Sequence, residues 1–224
     1  MINASQLARL LSVVTLGMLL GGCGGGLRSR SAPIVAYVLH APEAEASSTD
    51  AAAKSSKPLV YALTVLTPIA QAGLADDGIA LITSDSRLDR YAASRWPASV
   101  PKLVSALAVR TLRNSGLIAN VSDDTAPLAA DYLLRIDVSN FEAHYRGERA
   151  NGAEAPSVAV RFDCAVARRS DRTVIGSFVA QGTDTASDNR MGAVISAFDR
   201  ASQAALRQMR RSTLEILAAQ ATTP

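Results

Sequence analysis

The sequence predicts an α+β fold in a single domain, with a mixed or antiparallel sheet of about six to seven strands and two main helices packed on one face. Two patterns support this. Short apolar or alternating runs and two amphipathic stretches follow one another in the order β, β, β, α, β, β, β, β, α. A length of 224 residues, 48% of them hydrophobic, suits one well-formed core rather than several.

The elements follow in order. Ile34 to Leu39 reads as a first short strand, and the Ala-, Ser- and Glu-containing stretch from His40 to Lys57 as a mobile low-complexity loop. After Pro58, LVYALTVL is apolar on both faces and is expected near the centre of the sheet, and GIALITS from Gly78 to Ser84 is a further strand. Between Pro97 and Gly116, Val100, Leu103, Val104, Leu107, Thr111 and Leu112 recur at helical spacing, with Gly116 as the stop. Leu117 to Val121 is a short strand. Tyr132, Leu134, Ile136 and Val138 alternate with Leu133, Arg135, Asp137 and Ser139 until the phase slips at Asn140-Phe141, which predicts a bulge. Ser157 to Arg168 and Thr173 to Gly182 form a hairpin about Ser170-Asp171-Arg172. Ser187 or Asp188 is expected to cap a long last helix. Val194, Ile195, Phe198, Ala201, Ser202, Ala205, Met209, Ile216 and Leu217 form its buried stripe, and Arg207, Arg210 and Arg211 lie on other faces.

The chain begins with a processing signal. Arg9 gives a weak basic region, and the apolar run from Leu10 is too short for a permanent membrane helix. It ends in Leu20-Gly21-Gly22-Cys23, which resembles the lipobox of bacterial lipoproteins. An ordinary secretory signal or an uncleaved anchor is the plainer alternative. The lipobox resemblance implies residues 1–22 as signal peptide, cleavage before Cys23, and a covalent diacylglycerol and N-acyl chain (palmitate-type anchor) on Cys23. Residues 23–33 then form a lipidated tether, and 34–220 the folded domain with its 40–57 loop. Gly24 rather than Asp after Cys23 favours the outer membrane by the enterobacterial sorting rule.

Composition excludes several functions. The charge is +3, its basic residues are scattered, and aromatics make up 4%, so no nucleic-acid footprint is present. Cys164 falls on the apolar face of its strand and is expected to be inert. No P-loop, GxGxxG or GxSxG pattern occurs, and His40 and His144 are too few for a metal site, so neither a catalytic residue nor a metal is expected. Ser139 and His144, the nearest approach to a nucleophile and base, would point apart unless the bulge reset the strand's phase. Asp76-Asp77 and Asp123-Asp124 are read as turn residues.

One block stands out, RLDRYAASRW. It gathers Arg87, Arg90, Tyr91, Arg95 and the single tryptophan, Trp96, ahead of the first helix. Arg with aromatic residues is the usual make-up of an interface hot spot. Equally, Trp96 could pack beneath the helix beside Pro97 with the arginines exposed.

With this block, Tyr37-Val38-Leu39, Ala130-Asp131-Tyr132, Phe141-Glu142, Ile175-Gly176-Ser177-Phe178 and Ala197-Phe198-Asp199 occur in order behind the lipobox. Together they resemble the ABC-type transport auxiliary lipoproteins, from about Tyr37 to Leu217. The resemblance implies a non-enzymatic, periplasm-facing component of an MCE-type lipid transporter at the outer membrane, docking an MCE-domain protein through the Arg87 to Trp96 block. A homo-oligomer could match a symmetric partner. The alternative is a lipid-binding carrier that holds an acyl chain in its own cavity. Pro97-Ala98 stands where the resemblance leads one to expect a more acidic turn, and the 40–57 loop is long.

Overall fold

A computed structural model of the chain describes residues 33–43, 59–126, 129–146 and 154–221. The signal peptide, most of the tether, and residues 44–57 of the expected mobile loop lie outside these. The described strands are β1 (Val35–Ala36), β2 (Leu59–Val65), β3 (Ile69–Ala70), β4 (Gly78–Ile82), β5 (Leu88–Arg95), β6 (Ile118–Asp123), β7 (Tyr132–His144), β8 (Ser157–Arg168) and β9 (Val174–Thr185). The helices are α1 (Val100–Arg113) and α2 (Met191–Ala221). The α+β class holds, but nine strands replace the expected six to seven. The two additions are β3, only two residues long, and β5, which is the Arg87 to Trp96 block itself.

The sheet is mixed and built around β7. One edge of β7 runs antiparallel to β8 along its whole length, from Tyr132 opposite Arg168 to His144 opposite Ser157. Its other edge is shared end to end by three parallel strands: β2 at Tyr132 to Leu134, β3 at Asp137-Val138 and β4 at Glu142 to His144. Beyond β2 lies β6, and beyond β4 lie β5 and then β1.

β7 can serve so many neighbours because it is 13 residues long, and its inward face changes parity once. Tyr132, Leu134, Ile136 and Val138 are buried, the register then skips Ser139, and Phe141, Ala143 and Tyr145 take over. This is the expected bulge, one residue earlier than the sequence placed it. A bulge inserts an extra residue, so side chains on either side of it that reach one face belong to opposite sequence parities. β2 is central as expected only at Leu63, Thr64 and Val65, since Val60 is 83% exposed before the strand reaches β7.

Helix α1 buries the whole stripe its periodicity implies, and α2 buries its own except Ile195 and Ile216, which are half-buried. All six apolar positions predicted for α1 are buried, with Ala108 and Val109 added. After Arg113 the chain passes through Gly116, whose φ of +65° is open to glycine without strain, and turns into β6. Helix α2 lies over β8 and β9, where Val158, Val160, Phe162, Cys164 and Val166 point inward. It also touches α1. Its buried arc is wider than one stripe and takes in Leu206, Arg210 and Thr213, so the expectation that Arg210 faces outward is corrected. Ahead of the helix, the Asp188 carboxylate accepts hydrogen bonds from the Arg190 backbone N–H and guanidinium.

Candidate functional site

The Arg87 to Trp96 block is an edge-proximal strand, not a loop ahead of a helix. β5 pairs with β4 on one side and with β1 on the other, where Val35 faces Ser94 and Ala36 faces Arg95. Between the Ala80–Arg90 and Gly78–Arg95 pairs the register jumps, which leaves Tyr91 to Ser94 bulged. Ala93 sits at φ +51° within that bulge. The sequence hides this strand because the bulge removes the two-residue alternation by which strands are recognised.

The bulge divides the five candidate residues. Arg87 is exposed, its guanidinium Nε 2.8 Å from an Asp85 carboxylate oxygen. Arg95 is about half exposed, with Asp77 3.8 Å away. Arg90 is turned back into the fold. Its Nε and Nη2 donate to the two Asp76 oxygens at 3.2 and 2.5 Å, and Nη2 also donates to the Gly73 carbonyl at 2.6 Å. Tyr91 is half-buried in a hydroxyl chain. Tyr145 donates to Asn189 Oδ1 at 2.5 Å, and Tyr91 completes the chain by donating to Tyr145 at 3.0 Å.

Trp96 corrects the hot-spot expectation. It is fully buried, edge-on to Phe141 and Phe198 with ring centroids 5.8 and 5.2 Å away. It cannot touch a partner without unfolding, so it acts as the staple that the alternative reading described. Its backbone N–H donates to the Asp77 carbonyl at 2.7 Å, and Val100 N–H donates to the Asp76 carbonyl at 3.0 Å. The Asp76-Asp77 turn thus ties β5 to the start of α1. Sequence reasoning read these aspartates only as turn residues and missed them as partners of the block's arginines.

The Asp76 clamp has a pH signature. The hydrogen-bonded Arg90 guanidinium holds the Asp76 carboxyl below its ordinary value of 3.8. A depressed carboxylate contributes stability above its unfolded pKa and loses it as the pH falls through the folded one. Asp76→Asn is therefore expected to cost about 1 kcal/mol at pH 7, since both side chains are partly exposed and screened. Urea midpoints should show this difference at pH 7 and lose it progressively as the pH falls below the ordinary carboxyl value of 3.8.

The remaining chemical candidates are engaged in the fold. Ser139, the bulge residue, donates to Asp163, and His144 Nε2 lies 3.1 Å from Glu142 Oε1, so the two form no pair. Buried Glu142 also accepts from Asn140 Nδ2 at 2.7 Å and from the Phe141 N–H. Asp124 accepts from the Thr67 N–H and hydroxyl at 2.7 and 2.9 Å. Burial pushes the Cys164 thiol up to about 12, so it is un-ionised at neutral pH. Among the described residues no group of three metal-capable side chains converges, and no helix is long and apolar enough to cross a membrane. Cavities of about 250, 400 and 580 Å³ carry charged residues, among them Arg207 and Arg211 in the first, Arg135 and Asp163 in the second, and Asp124 and Arg169 in the third.

The chain belongs to the family of ABC-type transport auxiliary lipoprotein components, which it matches over residues 37–210. Its fold is that of protein XCC0632 from Xanthomonas campestris, with a TM-score of 0.68 at 21% identity, covering 85% of this chain and 98% of that one. A second crystal structure, of an uncharacterized protein, shares the fold with a TM-score of 0.55 at 13% identity, covering 79% and 99%. No curated protein matches the chain significantly.

Proposed function

We propose that this chain is a non-enzymatic lipoprotein, anchored through acylated Cys23 to the periplasmic face of the outer membrane, that docks the periplasmic conduit of an MCE-type ABC lipid transporter. The observation that carries the reading is membership of the transport auxiliary family over nearly all of the described domain, behind a leader ending in Leu-Gly-Gly-Cys. One lipid chain binds a membrane marginally and two or more bind it stably, so acylation would hold the domain in place. Within the Arg87 to Trp96 block the docking role narrows to Arg87 and Arg95, whose heads are exposed. Arg90, Tyr91 and Trp96 contribute by holding the strand.

Two measurements test this. Cys23→Ser is expected to release the protein from membranes washed with alkaline carbonate, and retention would refute the anchor. Arg87→Glu with Arg95→Glu is expected to reduce co-purification of an MCE-domain protein from detergent extracts at least about tenfold, the scale of reversing two rim charges. Unchanged recovery would remove this docking surface. The carrier alternative has less support, because the three cavities named above are open to charged side chains rather than apolar throughout. A homo-oligomer remains compatible with docking a symmetric partner.

A further inference from the structure

The segment that leads into the domain exposes apolar side chains the fold does not use. Ile34, Val35 and Val38 are 62%, 46% and 57% exposed, while Tyr37 packs against the core and Leu39 is buried. In an extended segment alternate residues face opposite ways, so Tyr37 and Leu39 secure the chain inward as Ile34 and Val38 are presented outward. Seven large hydrophobic residues are conspicuously exposed among the described residues, and three of them fall within these five positions. Burying an apolar side chain is normally favourable. Such a cluster on one edge marks a contact surface.

We propose that Ile34 and Val38, with the half-exposed Val35 at the margin, form a lip that rests this corner of the domain on the phospholipid surface to which the chain is anchored. The proposal builds on the acylation of Cys23. Ile34 follows Cys23 by eleven residues, which span at most about 36–40 Å even when fully extended, so lipid is always within reach of this patch. Exposed apolar residues elsewhere have no such tie. Val174 stands on β9, five strand spacings or about 24 Å across the sheet from β1. Along the strands it lies toward the Leu133 end of β7, whereas Ala36 leads through Arg95 to Gly78, two residues before the Ala80–Glu142 pair. Arg28 and Arg30 precede the patch in the sequence, cations of the kind that anionic headgroups attract.

The test uses the full-length acylated chain in vesicles of phosphatidylethanolamine and phosphatidylglycerol that contain a spin-labelled lipid. An environment-sensitive fluorophore is placed at Val38→Cys or, as control, at Val174→Cys. Cys164 is buried and stays unlabelled. A lip inserted by several ångströms should give quenching at position 38 about threefold or more above that at 174, and adding Ile34→Asp and Val35→Asp should lower it to the control level. Equal quenching at both sites overturns the lip. Emission at 38 that changes with protein density but ignores the quencher would mark β1 pairing between two copies, and overturns it as well. Mass spectrometry of the same preparation reads the acyl chains on Cys23, so a missing anchor is distinguished from an anchored chain whose lip stays in water.

Discussion

Trp96→Ala is expected to destabilise the domain by about 3–5 kcal/mol, the cost of deleting a large aromatic side chain from a packed interior. The site gives little room for relaxation, because the indole is enclosed by Phe141 on β7 and Phe198 on α2, which also contact each other at 5.8 Å. The indole Nε1 finds no hydrogen-bond acceptor among the described residues. A buried unpaired donor costs about 1–3 kcal/mol, so Trp96→Phe, which discards that donor along with some volume, is expected to be far milder than Trp96→Ala. Urea unfolding of the three proteins reads both steps. A Trp96→Ala protein that keeps wild-type stability would contradict the buried aromatic triad, and partner binding measured on it would report unfolding rather than docking.

The second large effect is expected at Gly182. A Cβ built there would lie 2.1 Å from the Ala201 carbonyl oxygen and 2.9 Å from the Ala204 Cβ, so α2 crosses β9 at a distance only glycine permits. The obstacle is helix backbone, which cannot rotate aside. Gly182→Val should therefore lift α2 from the sheet and cost about 3 kcal/mol, the upper part of the usual range for overpacking. Gly176 on the same strand is the internal control. Its added Cβ would meet only the Ile216 side chain, at 2.7 Å, and Ile216 can change rotamer. Gly176→Ala should cost under about 1 kcal/mol. Equal thermal shifts for the two variants would count against the close helix approach.

The residues that announced themselves in the sequence were those whose partners are local. Helix α1 repeats its apolar residues against one surface, and β8 alternates Val158, Val160, Phe162, Cys164 and Val166 without interruption, so both could be read directly. β5 could not, since its bulge at Tyr91 to Ser94 destroys the alternation and its charged residues resemble a loop. Trp96 was ambiguous for a different reason. Whether it is a contact or a staple depends on Phe141 and Phe198, distant in sequence and brought to it only by the sheet and α2. Arg210 was misplaced because the buried arc of α2 is wider than the single stripe read from its apolar spacing. The division of the arginines had the same origin. Arg87 and Arg90 differ in exposure because Asp76 and the Gly73 carbonyl lie beside one and not the other, which spacing within the block does not encode.

The sharing of one β7 edge by three earlier strands has a kinetic consequence. β7, β8 and β9 form a meander whose pairings are close in sequence and can close quickly. β2, β3 and β4 all precede β7 in the chain, yet each must pair with it. During synthesis they emerge first and wait with open edges, the condition under which chains aggregate. The order of assembly is therefore expected to run against the order of synthesis, with the carboxy-terminal meander forming the template and the amino-terminal strands settling onto it last.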